Sequence, residues 1–150
     1  MKPNILFLCT GNACRSQMAE GFARALRSET LAAYSAGVVA KGLDPRAVAV
    51  MAEAGVDISG QRSKTVDALP DIRFDFIVTL CGHARETCPF LPGPGRRVHV
   101  GFDDPPALAA GAASEEEALD QYRAVRDAIR DFVLGLPDTL ETPAQPGDTA

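Results

Sequence analysis

The sequence predicts an α/β fold, a three-layer sandwich around a mainly parallel sheet. Three observations carry that prediction. Short apolar runs alternate with stretches of helical periodicity, the first run is apolar without a break, and 150 residues leave room for about one domain. A continuous run such as Asn4 to Leu8 suits a strand covered on both faces, as helices packed on a parallel sheet require.

The elements follow in order. The first strand runs from Asn4 through Leu8 to Cys9, and Gly11-Asn12 breaks it. From Ser16 to Leu26 the residues Met18, Ala19, Phe22, Ala23 and Leu26 fall at helical spacing. Leu31 to Ala36 fits a second strand, which Gly37 ends. Asp44-Pro45 starts a helix, with Asp as N-cap and Pro at the first helical position, and that helix stops near Gly55. Phe74 to Leu80, rich in β-branched and aromatic residues, predicts a strand ending at Cys81. Arg97 to Phe102 gives another, followed by Asp103-Asp104-Pro105-Pro106. Ser114-Glu115-Glu116-Glu117 matches a capping box and opens a long last helix. Its stripe of Ala118, Tyr122, Val125, Ile129, Phe132 and Val133 is expected to pack on the sheet. Residues 1–136 thus make the folded domain. The tail 137–150 has one large apolar residue, Leu140, and is expected to be disordered.

Composition narrows the function classes. No apolar run approaches the roughly 18 residues of a membrane span, so no membrane partner is expected. The run after Met1-Lys2-Pro3 is too short for a signal-peptide core, which points to the cytoplasm. The net charge is −5, and the one adjacent basic pair is Arg96-Arg97, so sequence-independent nucleic-acid binding is not expected. Four cysteines stand at 9, 14, 81 and 88. In a reducing compartment such residues serve catalysis, redox chemistry or metal binding more often than structure.

The densest chemistry lies between the first strand and the first helix, in Cys9-Thr10-Gly11-Asn12-Ala13-Cys14-Arg15-Ser16. Gly11 and Asn12 tolerate positive φ, so the loop can curl and aim its N–H groups inward. The helix that follows adds its positive end, and Arg15 can clamp two oxygens of a tetrahedral oxyanion. Residues 10 to 16 are therefore the expected substrate cradle. The same field favours a thiolate at Cys9, and a hydrogen bond from Ser16 would hold it further, which makes Cys9 a nucleophile under the bound anion. Cys14 is expected to point into the fold and to take no chemical step. The leaving oxygen needs a proton donor, and Asp104, stiffened by Pro105 and Pro106, is the candidate, with Asp103 its competitor.

These motifs carry a resemblance. The cysteine loop, then Ser35-Ala36-Gly37-Val38, then Asp104-Pro105 ahead of the last helix, resemble the low-molecular-weight tyrosine phosphatase fold. Val78-Thr79-Leu80-Cys81, Cys88-Pro89 and Gly101-Phe102-Asp103-Asp104-Pro105 bring the sequence closer to one branch, the thioredoxin-coupled arsenate reductases. The resemblance spans about residues 3 to 135. It implies an arsenate oxyanion as substrate, Cys9 as nucleophile, Arg15 as anion clamp, Asp104 as general acid, and Cys81 and Cys88 as a redox relay reset by thioredoxin. No cofactor is implied.

If the segment from Cys81 to Cys88 is helical, its ends lie about 10.5 Å apart, whereas a disulfide needs about 4.4–6.8 Å between Cα atoms. The bond then requires that segment to unwind, which predicts reduced and oxidised conformations. Zinc is disfavoured, because Cys81, Cys88, His83 and His99 lack the usual short ligand spacings. Members of the branch often hold a monovalent cation on residues matching Asn12, Glu20 and Ser35. The fourth position is Lys64 here, whose ammonium is expected to pair with Glu20 in place of the ion, leaving activity insensitive to potassium. Two rival readings remain, a tyrosine phosphatase and a redox-regulated binding module. Against the phosphatase, the aromatic pair that often follows its Asp-Pro is replaced by Pro106-Ala107.

Overall fold

The computed structural model describes residues 2–81 and 95–141. Four parallel strands, β1 (Asn4–Cys9), β2 (Ala32–Gly37), β3 (Phe76–Thr79) and β4 (Arg96–His99), form one sheet in the order β2-β1-β3-β4. Around it stand α1 (Arg15–Leu26), α2 (Pro45–Glu53), α3 (Pro105–Ala109), α4 (Glu115–Leu134) and α5 (Asp138–Glu141). This is the expected α/β fold of the three-layer class.

Apart from Asn4 and Thr79 the central strands β1 and β3 are apolar, because both of their faces are covered. Ile5, Leu6, Phe7 and Leu8 of β1 and Val78 of β3 are all fully buried. The edge strand β4 instead begins with exposed Arg96 and Arg97, and charge on an edge discourages pairing with a second sheet. Two strands are shorter than the sequence predicts. Their flanks continue the ladder all the same, through Leu80 N–H to Leu8 O at 2.9 Å and Phe102 N–H to Leu80 O at 3.0 Å.

The predicted helix signals act as read. Asp44 accepts from Arg46 N–H at 2.9 Å, and Gly55 leaves α2 at φ +83. Ser114 accepts from Glu117 N–H at 3.1 Å, while the Glu117 carboxylate reaches back to Ala113 N–H at 3.2 Å, one residue short of the ideal box. The apolar stripe of α4 packs chiefly along α1, α2 and α3 rather than on the sheet. Phe132 is only half-buried, set against Phe102 with ring centroids 5.9 Å apart. Leu26, placed in the buried stripe of α1 by its spacing, is 44% exposed, because the helix ends on it. The tail begins with order, since Leu136 and Leu140 are buried and residues 138–141 form a helical turn. Burial of that one large side chain outweighs the polar composition around it. Residues 142–150 lie outside the described residues, as do Cys88 and His83.

Candidate active site

The strand order explains where the site lies. The chain leaves β1 towards β2, then crosses back to β3 on the other side, so loops diverge above the carboxyl ends of β1 and β3 and open a crevice there. Cys9 ends β1, and Cys81 lies just beyond the end of β3. A cavity of about 250 Å³ opens beside Cys9, lined by Cys9, Thr10, Gly11, Arg15, Lys41 and Asp104 among others. Roomier surface hollows, such as that between Gly21, Arg24 and Gly60, have no nucleophile beside a cation.

The loop from Thr10 to Cys14 curls through Asn12, at φ +48, while Gly11 keeps to the ordinary region. Gly11 is needed instead for space, because a Cβ there would meet the Lys41 stem at 2.8 Å. Gly37 serves the same end, since a Cβ on it would lie 2.7 Å from Asn12 N. The N–H groups of Gly11, Asn12, Ala13 and Cys14 find no hydrogen-bond partner among the described residues. Donors left open in this way at a helix start are what an oxyanion takes. The side chains of Asn12 and Ser16 are fully buried and belong to the loop's supporting network rather than to the cavity wall.

Arg15 is aimed by two contacts. Its Nη1 donates to Phe102 O at 3.0 Å, and its Nη2 lies 3.5 Å from Asp104 Oδ1. Asp104 occupies the N-cap position of α3, yet its carboxylate makes no capping bond and faces the cavity. Asp103 lines a different hollow, with Phe102 and Leu108, so the structure separates the two candidates. The Cys9 sulfur is 2.9 Å from Ser16 Oγ. The Cys81 sulfur is 3.0 Å from Thr10 Oγ1, which places a second thiol beside the loop's first residue. Cys14 is buried, and burial together with nearby Asp44 pushes its thiol well above the usual range, so it stays an inert thiol.

Behind the loop lies a second cluster. Ser35 Oγ–H donates to Glu20 Oε1 at 2.5 Å, Asn12 Nδ2 donates to Ser35 Oγ at 3.0 Å, and Lys64 Nζ stands 3.7 Å from Glu20 Oε1. Arg24 Nε meets the other oxygen of Glu20 at 3.0 Å. Burial pushes the Lys64 ammonium below its ordinary range, and the Glu20 charge opposes that shift. His99 packs on Thr79, its Nδ1 2.8 Å from Thr79 Oγ1. Among the described residues no three His, Cys, Asp or Glu side chains gather into a metal site.

Sequence reasoning passes over Lys41, Gln17 and Gln61. Lys41 reaches the cavity only because its N–H bonds to Gly11 O at 2.9 Å and brings two distant loops together. Gln17 is fully buried, but a polar residue adds nothing to an apolar periodicity and so leaves no signature in the sequence.

Comparison with known proteins agrees with this geometry. The model of the low molecular weight phosphotyrosine protein phosphatase family matches residues 4–144. A protein named arsenate reductase from Halalkalibacterium halodurans is 48% identical over 128 residues, 85% of this chain and 90% of that protein. One of the same name from Bacillus subtilis is 48% identical over 125 residues, 83% of this chain and 88% of its own. A solved structure described as an arsenate reductase in the phosphate binding state matches with TM-score 0.72 and 31% identity, covering 94% of this chain and 100% of that one. The low molecular weight protein tyrosine phosphatase from T. tengcongensis matches with TM-score 0.69 and 25% identity, over 92% and 99% of the two chains. An anion loop built around Cys9 and Arg15, on this sheet and with these relatives, places the chain in the low molecular weight phosphotyrosine protein phosphatase family, beside the members named arsenate reductase.

Proposed function

We propose that this protein is a cytoplasmic enzyme that reduces arsenate to arsenite, with Cys9 as nucleophile and a Cys9–Cys81–Cys88 disulfide relay reset by thioredoxin. One observation carries the reading. The Cys81 sulfur lies 3.0 Å from Thr10 Oγ1, and Thr10 follows the nucleophile directly. A phosphatase of this loop needs one thiol and an acid, whereas a reductase needs a second thiol within reach of the first. The names of the relatives support the same choice.

Arg15 and the open N–H groups of the loop would hold the arsenate oxygens. Cys9 Sγ attacks arsenic, an arsenic–oxygen bond breaks, and Asp104 supplies the proton that lets the oxygen leave as water. Cys81, as thiolate, then attacks Cys9 Sγ. A sulfur–sulfur bond forms, and the sulfur–arsenic bond breaks with its electron pair on arsenic. Arsenic thereby falls from the +5 to the +3 state while two thiols are oxidised to one disulfide. Cys88 attacks Cys81 in turn, which frees Cys9 and moves the disulfide to Cys81–Cys88. The dithiol of thioredoxin reduces it and is itself oxidised.

The Cys88→Ser variant separates these steps. With excess arsenate it should release about one arsenite per chain and stop, and peptide mapping should find Cys9 joined to Cys81. Sustained thioredoxin-driven turnover by that variant would contradict the relay.

A further inference from the structure

The Cys9 sulfur and Ser16 Oγ are 2.9 Å apart, and by distance alone either atom is able to donate. The direction matters. A hydroxyl that donates stabilises the thiolate, whereas one that accepts holds the thiol's own proton in place. The surrounding backbone fixes the direction, one residue at a time.

Gln17 Nε2 faces two main-chain carbonyls, Asn12 O and Arg62 O, each at 3.0 Å. A carbonyl only accepts, so this end of the Gln17 amide must be the NH2 group. The same nitrogen lies 2.9 Å from the Asn12 side chain, and the atom it meets must therefore be the amide oxygen. The main-chain N–H of Lys64 makes the same demand independently, at 2.9 Å. The Asn12 NH2 is thereby turned onto Ser16 Oγ at 2.8 Å and Ser35 Oγ at 3.0 Å. Ser35 gives its own proton to Glu20. Ser16 accepts from Asn12, and the one other hydrogen-bond partner of its hydroxyl among the described residues is Cys9, so its proton goes to the sulfur. Gln61 closes the far end, donating to Gln17 Oε1 at 2.7 Å and Gln17 O at 3.0 Å.

We infer that Gln17, held by Gln61, is a positioning residue for the nucleophile: together with the Lys64 N–H it locks the Asn12 amide in the one orientation that makes Ser16 a donor to the Cys9 sulfur. The inference rests on the reading of Cys9 as nucleophile and deepens it. Gln17 touches neither Cys9 nor the cavity. It acts through Asn12 and Ser16, and all three side chains are fully buried, so water cannot substitute for a missing partner. Without the Gln17 donor, the Lys64 N–H alone holds the Asn12 oxygen, so the turned amide gives up one hydrogen bond fewer and becomes more populated. Asn12 would then take the Ser16 proton, and Cys9 would be left to donate its own.

The charged or titratable groups that share the cavity with Cys9 are Cys14, Arg15, Lys41 and Asp104, with Cys81 beside Thr10 on the β3 side. Gln17 lines none of that cavity, so altered reactivity with unaltered phosphate binding reports the hydrogen bond itself.

The test uses Gln17→Met, which keeps length and volume but carries no amide. Alkylation of Cys9 by iodoacetamide, followed by peptide mass mapping, is measured across pH, and inorganic phosphate binding is measured by calorimetry. Phosphate should bind as in wild type, while alkylation falls about tenfold near pH 7 and recovers by about pH 10, where the thiolate forms unaided. Wild-type rates at every pH would overturn the inference alone. Loss of phosphate binding with a deficit at every pH would also overturn it, because that is damage to the loop. A wild-type Cys9 that reacts no faster than Cys81 would overturn both this inference and the nucleophile assignment beneath it. Gln61→Met is the second variant, which decides the matter if Gln17→Met fails to fold. It should slow alkylation about threefold near pH 7, and a wild-type rate there would overturn the inference.

Discussion

At the residue scale the proposed nucleophile, anion clamp and acid could each be nominated from the sequence, because each has a local reason to be where it is. Cys9 ends a buried strand, Arg15 opens a helix, and Asp104 precedes the proline that starts another. The choice between Asp103 and Asp104 was not legible from spacing. Tertiary structure favours Asp104, which lines the cavity and has the Arg15 guanidinium at 3.5 Å. Lys64 is the residue with the sharpest consequence. Its ammonium, 3.7 Å from Glu20, already supplies a positive charge behind the loop, and Asn12 and Ser35 are bonded to one another there. Turnover with arsenate should therefore change by less than about twofold when potassium replaces sodium at equal ionic strength. A severalfold rise with potassium would show that an ion still binds and that Lys64 does not stand in for it.

At the element scale, α4 is tied to α2 and, through it, to the anion loop. Tyr122 O–H donates to Asp44 Oδ2 at 2.6 Å, and Asp44 N–H donates to Ala13 O at 3.0 Å. Tyr122 is 2% exposed, and burial with the neighbouring Asp44 raises its hydroxyl well above the usual range, so it stays a donor at any ordinary pH. Tyr122→Phe leaves a carboxylate oxygen without that donor and should cost about 1 kcal/mol in urea unfolding. An unchanged midpoint would mean that solvent replaces the bond. The stripe that names Tyr122 as a core residue was legible, but its hydrogen bond to a helix cap far away in sequence was not.

The outer end of the same contact is ionic. Glu53 takes bidentate bonds from Arg123, at 2.8 and 2.7 Å, and one from Arg126 at 3.2 Å. The Arg123 bonds hold its carboxyl down at about 2, against an ordinary 4.5. A carboxylate depressed in the folded state adds stability above its unfolded value, and that contribution fades as the pH falls through the folded one. The stability gap between wild type and Glu53→Gln should thus be full at pH 7, narrow below about 4.5 and close near 2. A gap that persists at the acid end would assign the effect to packing instead.

For the whole molecule, the fold class followed from alternation of apolar runs and helical stretches, and the four parallel strands lie where those runs lie. What the sequence could not show is the strand order, because parallel pairing leaves no mark on either partner. Order is what matters for function. It sets β3 beside β1, in register from Ile5 opposite Phe76 to Leu8 opposite Thr79, and so brings Cys81 to the loop that begins at Cys9. The stretch between α2 and β3 also went unread, since its short turn at Val66–Ala68 and the bridge from Thr65 to Gly37 depend on contacts rather than on periodicity.

On the proposed reading, two thiols at neighbouring strand ends would turn a phosphatase-type anion cradle into a site able to pass electrons. The most direct test is arsenate-dependent NADPH oxidation in the presence of thioredoxin and its reductase, run on wild type and Cys88→Ser, with hydrolysis of a small aryl phosphate measured on the same preparations. Sustained oxidation by wild type, none beyond the first turnover by the variant, and only slow aryl phosphate hydrolysis by either is the predicted result. Brisk aryl phosphate hydrolysis with no arsenate-dependent oxidation would contradict the account and make the protein a phosphatase.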